Sequence, residues 1–337
     1  NPTSDSPVPV KVGILGLGNF GRLHAATTGR LEEANVTALV DANGASFEQL
    51  DQSLSDVPRW TDLESALRES ETEAWIVATS TSSHVALTEA LLSAGKSVLL
   101  EKPIAEDLAS AETLRDCLVH SQGRLMLGHV ALFNSEFRQL QEEANSRGSI
   151  EYIDCVRHRP SSTKAAFPGE SPFHLTMVHD LYLVQALKKG EEPVSLTSRS
   201  HSDVQGQCDL ALAQLQWKDG SIASLTASFL TPGGMASEGF DRMEVFGRNW
   251  SARIHPNPRP IQVWDENRTL SPLTLEVSLD EKSSVSGMLA EQMRTFLRVV
   301  RNRQSIPAGA SLEDGLQIQR WLDALAKNNP NIESEIE

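Results

Sequence analysis

The chain has 337 residues, 39% hydrophobic and 22% charged, an ordinary globular composition with length enough for two domains. Its net charge of −15 argues against a general binder of nucleic acid or anionic membrane, since both need a surplus of Lys and Arg, and no apolar run reaches bilayer-spanning length. Three scattered cysteines, Cys117, Cys155 and Cys208, rule against a disulfide framework and point to a reducing, cytoplasmic setting.

Residues 1–9 are polar and Pro-rich and read as a flexible lead-in. From Val10 onward short apolar runs alternate with helical stretches. Val10–Leu15 predicts a strand, followed by a Gly-rich turn and a helix through about Thr28. Val36–Val40, Trp75–Ala78, Val98–Leu100 and Leu125–Leu127 predict further strands, with helices over Ser83–Ala94 and Leu108–Val119 between them. Such alternation predicts right-handed βαβ units, and strands apolar on both faces predict a parallel sheet covered by helices.

After about Gly148 the pattern changes. A helix over His174–Lys188 precedes strands with period-two alternation at Asp209–Trp217, Ser221–Phe229, Arg242–Phe246 and Ile261–Trp264. Lys218-Asp219-Gly220 predicts a hairpin turn between the first two. Helices over Ser284–Arg301 and Leu312–Lys327 close the chain. The fold class expected is α/β: an N-terminal doubly wound Rossmann sheet over 10–130, then an α+β domain with a large, mostly antiparallel open sheet over 131–337. The second face of that sheet needs a cover, which subunit association would supply, and the last helices are free to pack back on the first domain.

Gly16-Leu17-Gly18-Asn19-Phe20-Gly21 directly follows the first strand and opens a helix. In a dinucleotide loop the first Gly permits the tight turn, the second lets a pyrophosphate approach the backbone, and the third allows close helix–strand packing. The helix start offers N–H groups and the positive dipole end to phosphate. Asp41, twenty residues beyond Gly21, ends the second strand, where a carboxylate accepts ribose hydroxyls. The same carboxylate repels a 2′-phosphate and no Arg follows it closely, so NAD is expected over NADP.

Ala78-Thr79-Ser80-Thr81-Ser82-Ser83-His84 leaves a strand and starts a helix, and Glu101-Lys102-Pro103 stands at the C-terminal end of another strand, where ligands sit in open α/β sheets. With the Gly loop, the AGKSVLLEKP segment, Gly128-His129, Phe133-Asn134, His179-Asp180 and the closing SLEDGLQIQRWLDAL, the chain resembles the glucose–fructose oxidoreductase, inositol dehydrogenase and MocA (Gfo/Idh/MocA) family.

The resemblance implies a nicotinamide-dependent oxidoreductase acting on a hydroxyl carbon of a sugar, cyclitol or nucleotide-sugar, often dimeric or tetrameric through its C-terminal sheet. It implies that Lys102 is the catalytic lysine, that Glu101 lies near the nicotinamide ribose, and that His179 is a second acid–base residue on a cleft-lining helix. The cofactor site would comprise Gly16, Gly18, Asn19, Phe20, Gly21, Asp41, Thr79, Ser80, His84, Glu101 and Lys102. Substrate would meet Lys102, Arg159, Thr176 and His179.

The pattern departs from the family where chemistry is decided. Leu175 replaces an Asp common one turn before the His, and Tyr182 replaces another three residues after it. Asp180 points about 100° away from His179 on a helix and cannot stand in for either. Thr176 lies on nearly the same face and offers a hydroxyl instead. His174 lies about 140° around an α-helix from His179, which argues against a metal pair, and no metal is expected. Leu132 and Ser135 also stand where relatives usually carry Arg and often Pro. Arg157, His158 and Arg159 are read either as an anion-binding group for substrate or as a basic strand edge. These losses keep a rival reading open, a catalytically silent dinucleotide-binding sensor or partner subunit. A third keeps the enzyme but moves it to imine or lyase-like chemistry.

Overall fold

The computed structural model describes residues 8–235, 240–256, 263–264, 269–270 and 286–327. Residues 1–7 of the expected flexible segment 1–9, the start of the strand at Ile261 and the start of the helix at Ser284 lie outside the described residues. The chain divides into two compact units, Asn1–Val130 with Glu276–Leu316, and Ala131–Leu275 with Gln317–Glu337.

The first unit opens with β1 (Val10–Leu15), α1 (Asn19–Thr28), β2 (Ala34–Val40), β3 (Arg59–Trp60), α2 (Leu63–Glu69), β4 (Ala74–Val77) and α3 (Thr81–Ser93). It continues through β5 (Ser97–Glu101), α4 (Leu108–Glu112), α5 (Leu114–His120) and β6 (Leu125–Gly128). The six strands form one parallel sheet in the order β3-β2-β1-β4-β5-β6. Every residue of β4, β5 and β6 is buried, as helices on both faces require. The strand order reverses between β1 and β4, so the C-terminal ends of those two strands frame the switch point at which open α/β sheets bind ligands.

The second unit contains α6 (Ser135–Arg147), β7 (Ile150–Pro160), α7 (Thr163–Ala166), a π-helical turn (Phe173–Met177) and α8 (Val178–Leu187). Then come β8 (Ser195–Ser202), β9 (Cys208–Gln216), β10 (Ile222–Thr231), β11 (Phe240–Gly247), β12 (Trp250–Ile254) and a short hairpin of β13 (Val263–Trp264) with β14 (Thr269–Leu270). The six long strands order as β12-β11-β7-β10-β9-β8, with β7 and β10 parallel and the remaining pairs antiparallel. Alternation sets the two faces. Ala211, Ala213, Leu215, Ala223, Leu225 and Val245 turn into the core, while Leu212, Ile222, Phe240 and Phe246 stay exposed on the other side.

The chain then supplies α9 (Met288–Val300), which packs on α1, and α10 (Leu312–Lys327). Leu312 and Leu316 join the core of the first unit. From Gln317 onward α10 belongs to the second, where Gln185 Nε2 donates to Gln317 Oε1 at 2.5 Å and Trp321 meets Trp217 edge to face. Among the described residues no helix is long and apolar enough to cross a membrane, and the three cysteines are unpaired.

Candidate functional site

The Gly loop has the geometry its sequence predicts. Gly16 sits at φ +90°, and a Cβ there would lie 2.7 Å from the backbone of Ala78 and Thr79. A Cβ on Gly21 would lie 1.9 Å from the Gly16 carbonyl oxygen, so this glycine lets the first turn of α1 lie against the loop. Gly18 differs: nothing stands within 4 Å of where its Cβ would be. Its bareness serves no packing purpose within the unit, and it is the position where a pyrophosphate needs room. A groove of about 650 Å³ runs past Gly16, Gly18, Asp41, Asp62, Thr79 and Ser80. The residues present therefore fit a dinucleotide.

Asp41 is committed within this groove. Its Oδ2 accepts the Leu17 N–H at 2.6 Å and its Oδ1 accepts the Asn43 N–H at 2.8 Å. Asn19 accepts from the Arg22 guanidinium at 2.7 Å, and Phe20 is 40% exposed. Thr79 receives the Ser83 hydroxyl at 2.8 Å, and Ser80 stands at the start of α3. His84 is fully buried, with Nδ1 2.7 Å from the Pro103 carbonyl and Nε2 3.1 Å from the Thr79 carbonyl. The structure thus uses His84 to tie the loop after β4 to the segment after β5.

Glu101 ends β5 and is buried; one oxygen faces His24 Nε2 at 2.7 Å and the other receives the Lys102 N–H at 3.3 Å. Lys102 follows at the strand's C-terminal end, half-buried, joined to Pro103 by a cis peptide bond. Sequence reasoning missed His24. Its partner lies 77 residues away, and the only local signal was an imidazole one turn after Phe20, which it meets edge to face at 5.0 Å.

In the second unit His179 occupies the first turn of α8, half-buried, directly after the π-helical turn. Thr176 is buried and its hydroxyl donates to the Pro172 carbonyl at 2.7 Å, so its proton is taken up by the backbone rather than offered to His179. The π turn also corrects the angular reasoning around His174, because residues wind more slowly through it than the 100° steps of an α-helix. Among the described residues no group of three or more His, Cys, Asp or Glu could hold a metal ion.

Arg157 is taken up by protein carboxylates rather than offered to a substrate anion, and it does not stand on a sheet edge. It lies on the central strand β7, 3% exposed, and grips Asp180 with Nε at 3.0 Å and Nη2 at 2.7 Å while Nη1 reaches Asp241 at 3.0 Å. Arg159 completes the network, with Nη1 and Nη2 on Asp241 at 2.5 and 3.1 Å. Burial pushes the Asp180 carboxyl above its ordinary value against the pull of Arg157. Burial also holds the His158 imidazole below its ordinary value, and that ring meets the Ser228 hydroxyl at 2.7 Å.

A parallel sheet with a bare Gly18, an acidic residue closing β2 and a groove at the switch point defines a dinucleotide-binding protein. The family model for the oxidoreductase family with an NAD-binding Rossmann fold matches residues 10–129, and that for the GFO/IDH/MocA C-terminal domain matches residues 125–253. The chain belongs to the Gfo/Idh/MocA family of oxidoreductases. It is 28% identical to an inositol 2-dehydrogenase of Rhizobium meliloti (strain 1021), over 75% of this chain and 78% of that one. It is 24% identical to a UDP-N-acetylglucosamine 3-dehydrogenase of Acidithiobacillus ferrooxidans, over 73% and 74%. The crystal structure of apo scyllo-inositol dehydrogenase from Lactobacillus casei superposes with a TM-score of 0.80 at 21% identity, covering 96% of this chain and 97% of that one.

Proposed function

We propose that the protein transfers a hydride between NAD and a hydroxyl carbon of a sugar, cyclitol or nucleotide-sugar. The observation that carries this reading is the dinucleotide groove of the first unit, in the same sheet whose β5 ends at Glu101 with Lys102 next in the chain. It is supported by relatives named as dehydrogenases of inositol and of UDP-N-acetylglucosamine. When bound, the nicotinamide supplies the hydride acceptor or donor. Gly16, Gly18 and Gly21 admit the pyrophosphate to the loop backbone, Thr79 and Ser80 line the groove, and His84 holds their loop in place. Asp41 and Asp62 both face the groove, which favours NAD because two carboxylates oppose a 2′-phosphate.

Loss of hydride from a carbinol carbon requires the hydroxyl proton to leave with it. Lys102 takes that proton in oxidation and returns it in reduction, with His179 as the second acid–base group. Arg159 contributes to substrate binding through whatever donor capacity Asp241 leaves it. The unpaired cysteines accord with a cytoplasmic setting. The exposed Leu212, Ile222, Phe240 and Phe246 on one face of the second sheet support a homodimer or homotetramer built through that face.

Nicotinamide absorbance with NAD and pooled cyclitols, sugars and UDP-sugars, with NADH for the reverse direction, tests the reading. Turnover is expected in wild type, with a loss on the order of 10²-fold or more in Lys102→Ala. Undiminished turnover in that variant would remove Lys102 from the mechanism. A second reading, a silent dinucleotide-binding sensor, draws on Leu175 and Tyr182, the latter buried. NADH binding without any turnover would favour it.

A further inference from the structure

We infer that His24, on the helix opened by the Gly loop, is a positioning residue that fixes the Glu101 carboxylate beside Lys102. The inference rests on the reading of Lys102 as the proton-transfer residue.

Two hydrogen bonds hold this carboxylate and a glycine makes room for it, all within the first unit. His24 Nε2 meets Oε1 at 2.7 Å, with the imidazole fully buried and the carboxylate side chain 9% exposed. The Lys102 N–H donates to Oε2 at 3.3 Å. Gly128, the register partner of Glu101 on β6, leaves the space the carboxylate fills: a Cβ there would stand 2.7 Å from Oε1.

The direction of the histidine bond follows from what surrounds the ring. Nδ1 has no hydrogen-bond partner among the described residues, while Nε2 faces a carboxylate oxygen, which in its ionised form can only accept. The ring proton therefore belongs on Nε2, donated to Oε1. An apolar side chain would fill this buried position without leaving Nδ1 unsatisfied. What the imidazole adds is one N–H aimed at the carboxylate, and the Phe20 ring edge-on at 5.0 Å limits its rotation. A carboxylate with both oxygens held by protein stays in one place next to the proton-transfer lysine.

Two measurements separate this role from packing. In ¹⁵N-histidine-labelled full-length protein, His24 is expected to give a slowly exchanging, downfield Nε2–H proton that disappears in His24→Leu and moves upfield in Glu101→Gln. A signal unmoved by Glu101→Gln, or no such signal in wild type, overturns the pairing. Kinetically, His24→Leu is expected to lower kcat about tenfold or more while the NADH Kd stays within about threefold. His24→Gln, which carries an amide N–H to a similar position, is expected to recover most of kcat. Wild-type kcat in His24→Leu, or equal losses in both variants, overturns the positioning role. If wild type turns over nothing, the reading of Lys102 fails, and the proton resonance still decides whether His24 holds Glu101.

Discussion

Leu17 and Asp41 are joined by a 2.6 Å hydrogen bond from the backbone N–H of the Gly loop to a carboxylate at the end of β2. The acidic residue expected to choose the cofactor therefore also shapes the loop that receives it. Asp41→Ala is expected to shift preference toward NADP by about tenfold or more and to lower Tm by a few degrees, since two backbone donors lose their acceptor. Titration with NADH and NADPH, beside a melting curve, reads both effects. Unaltered selectivity would mean that Asp41 serves the loop alone.

The glycines of the loop separate folding from binding. Gly18→Ala meets open space and is expected to keep wild-type Tm while raising the NADH Kd about tenfold or more. Gly21→Ala drives a methyl into the Gly16 carbonyl and is expected to cost several kcal/mol of stability. Equal Tm values for the two variants would contradict the difference in their surroundings.

Removing Arg157 strands the buried Asp180 carboxylate and leaves Asp241 to Arg159. Arg157→Met is expected to destabilise the protein by about 3–5 kcal/mol, read as a lowered urea midpoint, because buried Asp180 loses the cation that grips it and Asp241 keeps only Arg159. A midpoint within error of wild type would show that Arg159 alone satisfies both acids.

Acid weakens the hairpin between β9 and β10. The Ser221 hydroxyl, the Lys188 ammonium at 2.9 Å and the Ser221 backbone N–H lower the Asp219 carboxyl to about 2 from an ordinary 3.8. A carboxyl depressed in the folded state stabilises fully above its unfolded value and loses that contribution as pH falls through the folded one. Stability is therefore expected to decline between about pH 4 and pH 2, and Asp219→Asn should flatten the decline. The effect is modest, since the side chain is 46% exposed. Urea midpoints at pH 5 and pH 2.5 for both proteins test it, and parallel slopes would exclude Asp219 as a contributor.

Elements with strong local signals were legible in the sequence. Val10–Leu15 is a strand over the residues its apolar run covers, and the Gly loop follows in the expected place. The fold class, the parallel sheet and the mixed, mostly antiparallel second sheet followed from period and alternation. The misses have physical reasons. Arg59–Trp60 is too short to show a period, and Ser195–Ser202 is a polar edge strand in which only Ser198 is buried. Ser135–Arg147 is so highly charged that its stripe of Phe137, Leu140 and Ala144 is easily overlooked. Leu108–Val119 reads as one helix but is divided at Thr113. The π turn before His179 carries no sequence signature. Arg157, Asp180 and Asp241 meet across 84 residues of chain, a relationship no local pattern contains.

The first unit is discontinuous in the chain, which sets a limit on recombination. Cutting after Val130 would deliver the Gly loop and Lys102 yet omit α9, which covers α1, and Leu312 and Leu316, which complete the core around Leu127. The Arg115–Glu313 pair and the Leu127 N–H to Ala310 carbonyl bond would vanish with them. Grafting this cofactor half onto another catalytic half therefore takes two crossovers, the second within α10, and a gene library shuffled at a single point near residue 130 would yield mostly insoluble chimeras.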